Sequence, residues 1–183
     1  MNQINLSDVV MVSDPCYTEP TWCQIKLKDV LPGTYTTTCR KTEDPSWGNR
    51  CSILVAVHED YVGTELSWRE HGEIGVDSGQ AGIFSYDTYR KDGLVMETPT
   101  KTYSGDEFFL PNKDEGDDWY EKMCKFTLTM EAWGSYDNGV VSSSGIGDGG
   151  YKCLVARKDK KIVGIAIDYF MEKFPNKFIN TLV

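Results

Sequence analysis

With 183 residues, 40% of them hydrophobic and 12% aromatic, the chain has the length and apolar content of one globular domain, which excludes global disorder. Its net charge of -9, from 28 acidic against 19 basic residues, argues against duplex nucleic acid and anionic membrane surfaces as partners, since both demand an excess of cationic side chains. There is no apolar run of about 18 residues and no basic-then-apolar leader in MNQINLSDVVMV, so a cytoplasmic location is expected.

The first half of the chain reads as short strands divided by turns. Residues 8–12 (DVVMV) are apolar and β-branched, and Ser13-Asp14-Pro15 ends them because proline cannot donate to a ladder. A short strand is predicted over 24–30, closed by Leu31-Pro32-Gly33. Residues 33–40 (GTYTTTCR) alternate as a half-buried strand does, and 50–58 (RCSILVAVH) carry the strongest strand signal; residues 42–49 between them read as a turn. Further strands are predicted at 73–77 and 81–86, around Ser78-Gly79-Gln80.

Beyond residue 90 the pattern loosens, and roughly residues 90–117 read as a loop-rich, acidic excursion within a single domain spanning 1–183. Residues 117–126 (DDWYEKMCKF) form the one credible helix. Asp117 or Asp118 can cap it, and Trp119, Met123 and Phe126 recur at helical spacing. A short strand at 140–143 precedes a hairpin of 151–157 and 161–170 about the Asp159-Lys160 turn, and 175–183 read as a packed extension or a fraying end. The expected fold is mainly β (α+β): an antiparallel twisted sheet or sandwich with one amphipathic helix and a C-terminal β-hairpin.

The densest chemical signal is Ser142-Ser143-Ser144-Gly145-Ile146-Gly147-Asp148-Gly149-Gly150-Tyr151. Successive N–H groups of a glycine-rich turn can converge on an anion, with serine hydroxyls and Asp148 adding polar contacts. Spacing alone favours the plainer alternative, a hairpin turn in which Asp148 bonds its own backbone. Gly75 to Gly82 place Asp77, Ser78 and Gln80 on one bend, as a recognition rim or as a β-bulge. Trp47 and Arg50 offer an aromatic plate and a guanidinium suited to a base and a phosphate; a core tryptophan beside a surface arginine is the plainer alternative.

Catalysis is the minority reading. Asp14, Asp77 and Asp148 each end a strand in a turn and could meet around a metal, with His58 or His71 as a general base, but no nucleophile elbow or HExxH is present. Cys16, Cys23, Cys39, Cys51, Cys124 and Cys153 form no CxxC pair and read as reduced apolar fillers. A zinc site from Cys16, Cys23, His58 and His71 matches no standard spacing, so neither metal nor cofactor is expected.

Taken in order, Ser13-Asp14-Pro15, Gly33-Thr34-Tyr35, Trp47 to Arg50, Gly75 to Phe84, Trp119 to Cys124 and Ser142 to Tyr151 resemble the motif series of a family of uncharacterised proteins encoded by phages and bacteria. The match covers most of the chain outside roughly 90–117. One departure is Ser85, where relatives carry an acidic residue, with Asp87 two positions on. The chain is also similar to phage counter-defence proteins of the anti-CBASS sponge kind. That resemblance implies a homo-oligomer, a tetramer for example, that sequesters a cyclic dinucleotide immune signal without hydrolysing it.

The residues themselves nominate Trp47, Arg50, Asp77, Gln80, the Ser142–Gly150 turn and Tyr151 as ligand contacts. Two alternatives stand beside this reading. One is a metal-dependent nucleotide hydrolase centred on Asp14, Asp77 and Asp148; the other is an acidic inhibitor or immunity protein docking on a basic partner.

Overall fold

The structure is a computed structural model and describes residues 1–91, 117–170 and Ile179. The excursion expected near 90–117 and most of the 175–183 tail fall outside the described residues. Strands run in chain order as β1 (Asn2–Leu6), β2 (Val10–Ser13), β3 (Ile25–Leu27), β4 (Gly33–Asp44), β5 (Gly48–His58), β6 (Trp68–Val76) and β7 (Gln80–Ser85). The helix α1 (Asp117–Thr127) follows, then β8 (Trp133–Tyr136), β9 (Gly139–Ser143), β10 (Gly149–Lys158) and β11 (Lys161–Asp168).

These strands form two antiparallel sheets. The larger has the order β1-β4-β5-β11-β10-β6 and the smaller β3-β2-β7-β9-β8. Their inner faces share one core that includes Val12, Leu54, Ile83, Val140, Cys153 and Ile165, as in a sandwich. α1 covers the outer face of the smaller sheet, where Trp119 and Met123 pack against Met11, Phe84 and Val141. Phe84 and Trp119 meet edge to face at 5.1 Å. The helical spacing of Trp119, Met123 and Phe126 therefore identified the buried stripe.

The outer face of the larger sheet is apolar too. Ile53, Val55 and Val57 pack there with Trp68, Val163 and Ile179. β5 is thus buried on both faces, which is why its sequence is continuously apolar where a half-solvated strand would alternate. Ser52 is the extra residue of a bulge, since Arg40 lies opposite Ile53 and Lys41 opposite Cys51.

Several boundaries differ from expectation. Residues 42–49 are mostly ladder: β4 and β5 stay paired to Asp44 and Gly48, leaving only 45–47 as the turn. Its tip is tightened by Asp44 Oδ1, which accepts from Ser46 N at 2.8 Å and Trp47 N at 3.0 Å. β1 and β8 carried too few β-branched residues to register as strands, and each is held by pairing with a distant segment. The C-terminal hairpin turns where expected, with Asp159 and Lys160 at φ 46° and 69°, the left-handed pair that matches strand twist.

Candidate functional site

The motif-bearing turns gather at one end of the sandwich. There β6 ends at Val76 opposite the start of β10 at Gly149. β7 starts at Gln80 opposite the end of β9 at Ser143. β2 ends at Ser13 opposite Gly82, and the β4–β5 tip projects from the same end. Both the β6–β7 and β9–β10 connections cross between sheets here. Ser144 N donates to Gly79 O at 2.9 Å and so ties one crossing to the other.

Asp14 is the centre of this scaffold. It is 0% exposed and its carboxylate accepts four hydrogen bonds. Oδ1 takes Cys16 N at 2.8 Å and Ser78 Oγ at 2.6 Å. Oδ2 takes Asp77 N at 2.9 Å and Ser78 N at 2.7 Å. A buried carboxylate pays its desolvation only with such charge-assisted bonds. Burial, then the hydrogen bond to Asp14, pushes the Cys16 thiol up to about 12, so it is no nucleophile.

The metal triad is thereby dissolved. Asp14 faces protein donors, Asp77 Oδ2 accepts from Tyr17 Oη at 2.7 Å, and Asp148 is exposed on its own loop. The Tyr17 phenol is pushed well above its usual range, by burial first and the Asp77 bond second. Among the described residues no three His, Cys, Asp or Glu side chains form a metal-sized cluster. The Cys16, Cys23, His58 and His71 set is scattered as well. Cys23 packs on Gly75, whereas His58 ends β5 at the far end of the sandwich. There its Nδ1 accepts from Asp60 N at 3.3 Å and its ring meets Tyr35 edge-on at 5.2 Å, the contacts of a structural histidine.

The expected ligand contacts divide into two groups. Gln80, Ser142, Ser144, Gly145 and Tyr151 are buried and engaged within the fold. Gln80 accepts from Thr127 Oγ1 at 3.0 Å and donates to Cys124 Sγ at 3.4 Å, clamping α1 to β7. The Ser142 and Tyr169 hydroxyls share a 2.8 Å hydrogen bond in the core. Ser144 Oγ and Tyr151 Oη both donate to Gly147 O, at 2.6 Å each, closing the 144–149 loop on itself. Gly145 sits at φ 66°, and a Cβ there would lie 2.9 Å from Tyr169 Cβ and 3.0 Å from Cys51 O. Gly145 thus serves close approach within the protein, whereas Gly147 has open space around it; the segment is a crossing from β9 to β10 between the two sheets and not a hairpin turn.

Trp47, Arg50, Asp77, Ser143, Gly147 and Asp148 remain accessible in whole or part. Trp47 is 57% exposed, which excludes the core-tryptophan alternative. Arg50 Nε donates to Trp47 O at 2.8 Å, so the guanidinium is anchored to the backbone that carries the indole.

Exposed apolar side chains were missed by the sequence reading. Trp22, Leu128, Met130 and Ile146 lie on loops of this same end. Lys41 Nζ donates to Met130 O at 2.9 Å, which fixes the 128–131 turn beside the β4–β5 hairpin. They stand outside any periodic run, and only the gathering of loops makes them a surface. A cavity of about 280 Å3 between Thr18, Tyr86 and Arg90, and another of about 440 Å3 on β6 and β10, are not lined by the expected contacts. No helix among the described residues is long and apolar enough to cross a membrane. Comparison with family models, curated proteins and solved structures finds no match to the chain.

Proposed function

We propose that this chain is a non-catalytic binding protein that captures a small nucleotide of the cyclic dinucleotide class at the loop-bearing end of the sandwich, as a phage counter-defence sponge would. The observation that carries the reading is the Trp47–Arg50 tip, an exposed indole plate with a guanidinium anchored to its own carbonyl. An indole stacks on any base, contributing roughly 1–3 kcal/mol, and a guanidinium suits the adjoining phosphate. Sequestration at nanomolar affinity requires about -12 kcal/mol, more than one tip supplies. A homo-oligomer that brings two tips to one ligand would double the stacking. Against the hydrolase alternative stands the engagement of both Asp14 oxygens by protein donors.

The test is titration calorimetry of the full chain with a panel of cyclic dinucleotides, followed by heat denaturation and analysis of the released ligand. Saturable binding with intact ligand recovered is expected. No heat with any member of the panel refutes the reading, and a linear product would transfer it to the hydrolase. The exposed Leu128, Met130 and Ile146 favour a second reading, docking of this end on a protein partner. A co-purified host protein whose capture is lost in Met130→Asp, with no nucleotide response, would select that reading.

A further inference from the structure

At the opposite end of the sandwich, a cavity of about 440 Å3 is lined by Ser67, Arg69, Glu70, His71, Val155 and Arg157. β6 and β10 build it. Arg69 pairs with Val155, so the two side chains stand side by side on one face, and Arg157 lies two residues further along that face. Their neighbours Trp68 and Ala156 point the other way, into the outer core. His71 is the extra residue of a bulge, because Cys153 lies opposite Gly72 and Leu154 opposite Glu70. Bulges re-aim a side chain, and this one carries an imidazole to the cavity wall.

The charge balance here opposes that of the whole chain. Two guanidinium groups line the space, and Glu70 is held at 2.7 Å by Lys152 Nζ. Arg157 Nη1 donates to Lys160 O at 3.0 Å, which orients that guanidinium. Edge strands commonly carry charges and bulges simply to prevent further strand pairing. That explanation accounts for charge on β6, but not for two arginines and an imidazole meeting over Val155 across two strands.

We propose that this cavity binds a phosphate dianion, free or as a monoester, through Arg69 and Arg157. Guanidinium forks match phosphate oxygens bidentately, and the imidazole and Ser67 hydroxyl add donors. The volume falls in the range of small-molecule sites, larger than one phosphate needs. Val155 offers an apolar floor to the organic part of a monoester. The site is independent of the Trp47 tip and stands or falls separately.

Calorimetric titration of the full chain with inorganic phosphate and with a nucleoside monophosphate, at constant ionic strength, tests it. Saturable binding is expected, weakened about tenfold in Arg69→Gln and in Arg157→Gln, as loss of a charge-assisted bond implies. Arg69→Lys keeps the charge without the fork and should weaken binding by less. Both arginines are exposed, so the thermal midpoint should not move. Trp47→Ala should leave phosphate binding intact. Tighter binding of the free anion or of the monophosphate identifies the occupant. Absence of saturable binding, or binding unchanged in both glutamine variants, overturns the proposal and leaves the arginines as edge guards.

Discussion

Asp14 offers the sharpest test of the scaffold, because its two oxygens are opposed by different donors. Replacing it with alanine strands the N–H groups of Cys16, Asp77 and Ser78 and the Ser78 hydroxyl, all within 2.9 Å of the lost carboxylate. Each buried unsatisfied group costs about 1–3 kcal/mol, reduced where water enters, so Asp14→Ala should destabilise by about 4 kcal/mol. Asp14→Asn should cost less. Its carbonyl oxygen can face the Asp77 and Ser78 N–H pair, while its amide faces Ser78 Oγ, which can turn to accept. Only the Cys16 N–H then loses its acceptor, and a loss of about 2 kcal/mol follows. Ser78→Ala, which removes one bond, should cost about 1 kcal/mol. Urea denaturation resolves the series if the midpoint moves and the slope does not. An asparagine variant as damaging as alanine, or either variant as stable as the parent, refutes the assignment of the carboxylate as the hub.

Gly145→Ala should destabilise by about 3 kcal/mol, since the residue is left-handed and the new methyl meets Tyr169 and Cys51 O; an unchanged thermal midpoint would contradict this. Trp47→Ala should leave the midpoint unchanged, because the indole is exposed, yet weaken cyclic dinucleotide binding by about 2 kcal/mol in calorimetry. Burial pushes the Tyr89 phenol from 10.0 up to about 12. The fold therefore favours its protonated form: this contribution is whole below pH 10 and declines by about 3 kcal/mol as the pH rises to 12. Denaturation midpoints across that window should fall, and Tyr89→Phe should lessen the fall without abolishing it, because burial raises Tyr35, Tyr136 and Cys153 as well.

Alternation, helical spacing and turn chemistry are local properties, and they were legible in the amino acids alone. They located β4, β5, β10, β11 and α1, the Asp159-Lys160 turn, and a sandwich with one amphipathic helix. Local pattern failed at β1 and β8, whose strand character comes from their partners, and at the β4–β5 hairpin, where Asp, Pro and Ser suggested a longer turn than the ladder permits.

The roles of the polar motif residues were decided by tertiary contacts. Asp14 and Ser78 are 64 positions apart, and Gln80 and Thr127 are 47 apart. No spacing rule connects them, so a serine or aspartate that binds a ligand and one that binds the next loop look alike in sequence. Residue types named which groups could bond; the packing of two sheets chose their partners and left Trp47 and Arg50 facing outward. A hydrogen bond between distant segments exists only once the core has brought their backbones together, which is why the sequence marks the donors and the folded chain alone assigns them.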